Sequence, residues 1–97
     1  MIIKLVEIFE SIGRSRNSRS TYSLREVYVN PDHVVCLRED VSMKRKLEAN
    51  LLPENLDLKQ QFTKLSLDRG HSGIDLVVVG PPEMIEEKLY SKQLLRG

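Results

Sequence analysis

The chain has no tryptophan, one cysteine, three tyrosines and two phenylalanines. With so few aromatics, a hydrophobic core must be assembled from Val, Leu and Ile. The single cysteine, Cys36, excludes an intramolecular disulfide, which fits a reducing compartment. The formal net charge is only +1. The field of the whole molecule is therefore weak, and any affinity for nucleic acid must come from local clustering. No apolar run approaches the roughly 20 residues of a membrane span. The opening MIIKLVEIFE is interrupted by Lys4, Glu7 and Glu10, and no small-residue cleavage site follows it. A signal peptide is not expected, no membrane contact is expected, and the expected location is cytoplasmic. A phosphate-cradling glycine loop, a strained glycine elbow and an oxyanion element are also missing. The expectation is a protein that is not an enzyme and uses no cofactor.

What is present reads as one domain, 1–97, large enough for a single modest core. Ile2 to Phe9 favours a strand whose two faces, Ile2/Val6/Ile8 and Ile3/Leu5/Phe9, are both apolar. Such a strand is central or covered. Gly13 to Ser23 is polar and serine-rich, an Arg/Ser loop (13–23) too long for a two-residue turn. Leu24 to Val29 resumes as a strand with Val27 and Val29 on one face. Asn30-Pro31-Asp32 then breaks it. Val34 to Arg38 is the next strand; plain alternation sets Val35 and Leu37 on one side and Val34 and Cys36 on the other.

Composition shifts across 40–61, which reads as an insertion with one or two short helices. Ser42 is a candidate cap, and Pro53 suits a first helical position. The last third is the most regular. Phe62 to Leu67 alternates, with Leu65 and Leu67 facing one way and Phe62, Lys64 and Ser66 the other. Asp68 to Gly73 is a turn, and Ile74 to Val79 is a nearly continuous apolar run. Pro81 and Pro82 open a helix over 82–92, with Glu83, Glu86 and Glu87 near its positive end and Ile85 and Leu89 one turn apart toward the sheet. The fold class predicted is α+β: a small twisted antiparallel sheet of about five strands, a meander, with a C-terminal helix and a short helical insertion.

Three constellations are candidate sites. His33 and Cys36, with His71 and Asp75, suggest a metal site, but an odd separation on a strand points side chains to opposite faces, and zinc wants four placed ligands. Asp32, Asp68, His71 and Asp75, at two turns, could assemble an acid–base site, but turn-forming chemistry already explains Asp68, Gly70 and Gly73. The basic group Arg14, Arg16, Arg19 and Arg25, with Lys44, Arg45 and Lys46, is the sharpest candidate for partner binding. Guanidinium forks suit phosphate or an acidic protein surface, and Tyr22 and Tyr28 offer stacking faces. The edges of the first strand, Ile2 to Phe9, or of the last, Ile74 to Val79, offer a route to a homo-oligomer.

Several short elements also resemble the FlbD family of small flagellar and swarming-motility proteins, and short phage-encoded proteins of the same pattern. They are the opening Met1-Ile2-Ile3-Lys4-Leu5, Val29-Asn30-Pro31-Asp32-His33-Val34, Thr63-Lys64-Leu65-Ser66-Leu67-Asp68-Arg69-Gly70, and Val77-Val78-Val79-Gly80 followed by Pro82-Glu83-Met84-Ile85-Glu86-Glu87-Lys88-Leu89. The match covers about half the chain; the stretches 13–23 and 40–61 are longer than the pattern. The resemblance implies a small non-enzymatic accessory or regulatory protein, its phage side implies a phage-encoded protein directed at a host factor, and it supplies no catalytic residues. The leading expectation is thus an adaptor that binds another protein. The alternative is a nucleic-acid-binding regulator using segments 14–25 and 44–46.

Overall fold

The computed structural model describes residues 2–11, 21–53, 56–68, 70 and 72–96, with side chains as far as Tyr90. The elements are β1 (Ile3–Ser11), β2 (Thr21–Val29), a one-turn 3-10 helix (Pro31–His33), β3 (Val34–Glu39), α1 (Val41–Glu48), β4 (Phe62–Asp68), β5 (Gly73–Val79) and α2 (Pro82–Arg96). The strands form one five-stranded antiparallel sheet in the order β2-β1-β5-β4-β3. This is the α+β sheet expected. The residues Thr21–Ser23, read above as loop, are the first residues of β2, paired with Ser11, Glu10 and Phe9.

The meander holds within β1–β2 and within β3–β4–β5 and is interrupted between them. β2 and β3 occupy opposite edges although only Asn30–His33 separate them. A flat sheet would set its outer strands about 19 Å apart. Val29 to Val34 reaches roughly 17 Å when fully extended, and a 3-10 turn advances only about 2 Å per residue. The sheet therefore has to curl until the end of β2 approaches the start of β3. Val29 and Val34 accordingly share one apolar cluster. The Asn30 side chain accepts from the Asp32 amide at 3.0 Å and starts the turn, and the Tyr90 hydroxyl of α2 donates to the Pro31 carbonyl.

Alternation along the strands gives the sheet two apolar faces, and each has its own helix. On the first, Leu5, Val29, Leu65 and Val78 pack against Ile85 and Leu89 of α2, with Ile3, Val27, Val34, Leu37, Leu67 and Leu76 around them. On the second, Ile8 and Phe62, flanked by Tyr22, Val77 and Val79, pack against Met43 and Leu47 of α1 and against Leu52. The 40–61 insertion is thus the cover of the second face.

Two local expectations are corrected. Between Val34 and Cys36 the β3–β4 register shifts. The extra residue puts Val34 and Leu37 together on the α2 side and leaves Val35 67% exposed, reversing the plain alternation. The cap of α1 is Asp40, not Ser42: its carboxylate accepts from the Met43 amide at 3.0 Å. The helix ends where Asn50 adopts φ 60° and the Leu51 amide bonds back to the Lys46 carbonyl. Among the described residues, α1 is the one helix of the insertion.

Candidate interaction surface

The basic residues singled out above take separate positions. Arg14, Arg16 and Arg19 lie outside the described residues. Arg25 is on the α2-side face of β2, where its Nε donates to Glu7 Oε1 at 2.8 Å and its guanidinium stands 4.1 Å from the Phe9 ring centroid. Glu7 is buried, so Arg25 neutralises a carboxylate inside the sheet. The hydrogen bond to Glu7 raises the Arg25 pKa above its ordinary value.

Lys44 donates to the Leu58 carbonyl at 2.7 Å and the Gln60 carbonyl at 3.0 Å, tying the insertion to its helix. Arg45 is exposed. Lys46 stands over the Tyr22 ring at 4.9 Å, and Tyr22 in turn donates to Glu10 Oε2 at 2.8 Å. Its pKa is raised, chiefly by the Tyr22 hydroxyl. Arg25, Lys44 and Lys46 thus each have an intramolecular partner. Lys46 also brings the 44–46 segment to Tyr22, at the end of the hairpin closed by the Ser11–Thr21 pair.

Among the described residues, the metal and acid–base candidates fall into two separate groups, His33 with Asp68 and Cys36 with Asp75. His33 Nδ1 lies 3.1 Å from the Asp68 carbonyl, so the turn 30–33 lies beside the end of β4. The Asp68 carboxylate accepts from the Gly70 amide at 2.8 Å, within its own turn, and Asp32 is exposed. His71 lies outside the described residues. Cys36, Ser66 and Asp75 form one row across the α1-side face. The Ser66 hydroxyl, and then Arg38, whose Nη2 is 3.7 Å from Sγ, pull the Cys36 thiol below its ordinary pKa. Among the described residues no group of three His, Cys, Asp or Glu could hold a metal ion. No described helix is long and apolar enough to cross a membrane.

The surface that sequence reasoning missed is the α1-side face of the β1–β2 hairpin. Alternation puts Lys4, Val6 and Ile8 on it from β1, and Leu24, Glu26 and Tyr28 from β2. α1 covers Ile8 but not the rest. Val6 is 40% exposed, Leu24 38% and Tyr28 65%, with Ile2 exposed just before the strand. Lys4 and Glu26 form an exposed ion pair at 3.2 Å among them. The signal was present: Ile2/Val6/Ile8 reads as a second apolar set, but the helix that could cover it reaches only one end.

β1 and β5, considered above as edges, are interior strands. β1 lies between β2 and β5, and β5 between β1 and β4. The Ile74–Val79 run is apolar because both its faces are covered, Leu76 and Val78 by the α2 cluster and Val77 and Val79 by the α1 cluster.

No protein-family model, no curated protein and no solved structure matches this chain.

Proposed function

We propose that the protein is a small non-enzymatic regulatory or adaptor protein that acts by binding another protein. The observation that carries this reading is the uncovered apolar half of the hairpin face, Ile2, Val6, Leu24 and Tyr28 around the Lys4–Glu26 pair. Exposed apolar and aromatic side chains with a polar member among them are what a protein interface recruits. A phage-encoded protein directed at a host factor, as the FlbD-like pattern implies, would have a role of this kind.

Affinity capture with the tagged chain tests it, beside a Val6→Lys/Tyr28→Glu variant and with and without nuclease. The expected outcome is a defined protein that survives nuclease and is lost from the variant, whose circular dichroism matches the parent. Capture indifferent to the two substitutions would refute the assignment of this face.

The second reading, a nucleic-acid-binding regulator, is favoured by one observation. Lys46 over Tyr22 gathers the 44–46 segment to the end of the hairpin closed by the Ser11–Thr21 pair, the two residues that flank Arg14, Arg16 and Arg19 in sequence. Its signature is affinity that falls steeply with salt and drops on Arg→Ala replacement at 14, 16 and 19. Salt-independent binding would reject it.

A further inference from the structure

The fold treats its two sheet edges differently. β3 is six residues long, is broken by the bulge between Val34 and Cys36, and runs at Asp40 straight into α1. Shortness, a bulge and an adjoining helix all spoil an edge as a template for a further strand. β2 has none of these protections. It is nine residues long, contains no proline, keeps continuous register with β1 from Thr21 to Val29, and pairs on its outer side with no described strand.

We propose that β2 pairs antiparallel with β2 of a second copy of this chain, about a two-fold axis perpendicular to the sheet and passing through Leu24. Such an axis sets residues of the same face opposite one another, so it must pass through a residue. An axis at Arg25 opposes two guanidinium groups, and one at Glu26 opposes two carboxylates. Like charges directly across a ladder destabilise it. An axis at Ser23 overlaps the described strand only over 21–25, and one at Val27 only over 25–29.

The axis at Leu24 overlaps Thr21 to Val27. It sets Leu24 against Leu24, Ser23 against Arg25, and Tyr22 against Glu26. The ammonium of Lys46 stands over Tyr22 on that same face. Glu26 of the second copy therefore arrives beside Lys46, twice by symmetry. Glu10 and Lys46 of one copy, with Glu26 and Lys4 of the other, make a neutral group. The pairing uses the end of β2 away from Val29, where the curled sheet brings β3 close. It does not depend on the adaptor reading above, because a monomeric adaptor and a dimeric one expose the same Val6 and Tyr28.

Two experiments on the full chain test it. In a Cys36→Ser background, Leu24→Cys is expected to form an intermolecular disulfide on mild oxidation. Opposed Cα atoms lie about 4.5–5.5 Å apart in an antiparallel pair, within disulfide range. Glu26→Cys in the same background faces Tyr22 and is expected to remain uncrosslinked. In sedimentation equilibrium, Glu26→Lys or Lys46→Glu alone is expected to weaken the dimer about tenfold, and the double swap to restore it. Leu24, Glu26 and Lys46 lie outside the buried core, and circular dichroism verifies each variant's fold. A monomeric mass for the unaltered chain at every loading concentration would overturn the proposal. So would crosslinking as efficient at 26 as at 24.

Discussion

At the scale of the residue, a few positions have environments that decide their chemistry. Gly80 has φ 129°, and a Cβ there would lie 2.4 Å from Met84 Cε and 3.2 Å from Ile85 Cδ1. Met84 can swing aside, but Ile85 is held in the core and the backbone angle penalises any L side chain. Gly80→Ala is expected to cost about 1–3 kcal/mol, read as a lower urea midpoint with unchanged slope. Glu7 illustrates the reverse dependence. Arg25→Ala leaves its buried carboxylate without a cation and should destabilise, and adding Glu7→Gln should recover part of the loss. A double variant no more stable than Arg25→Ala alone would show that the pair does not couple. Cys36 has a pKa depressed first by Ser66 and then by Arg38. A group depressed in the folded state contributes stability above its unfolded pKa and loses it as pH falls through the folded value. Alkylation of Cys36 should therefore titrate below an ordinary thiol, and Ser66→Ala should move the midpoint up.

At the scale of the element, the insertion is held by specific ties. Asp40 caps α1, and Lys44 bonds two carbonyls of the segment that returns to β4. Asp40→Ala is expected to cost about 1 kcal/mol. Lys44→Met should instead speed hydrogen exchange at 57–61 with little change at β4. The same elements show where sequence is a sufficient guide. The Leu65/Leu67 alternation, the apolar run of β5 and the Ile85/Leu89 stripe of α2 are all borne out, because period and burial are local consequences of side-chain direction. The orientation of Val35 was not legible, because one extra residue in β3 inverts the pattern and its cause is the pairing with β4. The destinations of Arg25 and Lys44 were equally hidden. A cation in a polar stretch reads as available until its partner, Glu7 or a carbonyl of 58–60, is located in space.

At the scale of the whole molecule, one sheet carries two cores. Phe62 and Leu65 are neighbours on β4 yet belong to opposite faces. Because β1, β4 and β5 contribute to both clusters, the faces should unfold together. Leu65→Ala and Phe62→Ala are each expected to cost about 2–5 kcal/mol, a large part of the 5–15 kcal/mol typical of a domain. Both should retain a single urea transition by circular dichroism; a biphasic curve in either would show that the layers melt separately. The uncovered part of the α1 side follows from the same economy. α1 spans only Val41–Glu48, enough to cover Ile8 and Phe62 but not Val6, Leu24 and Tyr28.

Sequence alone determined the existence and kind of the strands, the C-terminal helix and its buried face. Each depends on residues within one or two turns of each other, and the chain has few aromatics and one cysteine with which to build anything else. Tertiary structure alone decided the strand order, the placement of α1 over the second face, the engagement of Arg25, Lys44 and Lys46, and the exposure of the hairpin. These are set by which distant segments compete for the same apolar surface. The four residues between β2 and β3 show the difference: locally they are a turn, and only the curl of the finished sheet sends them from one edge to the other.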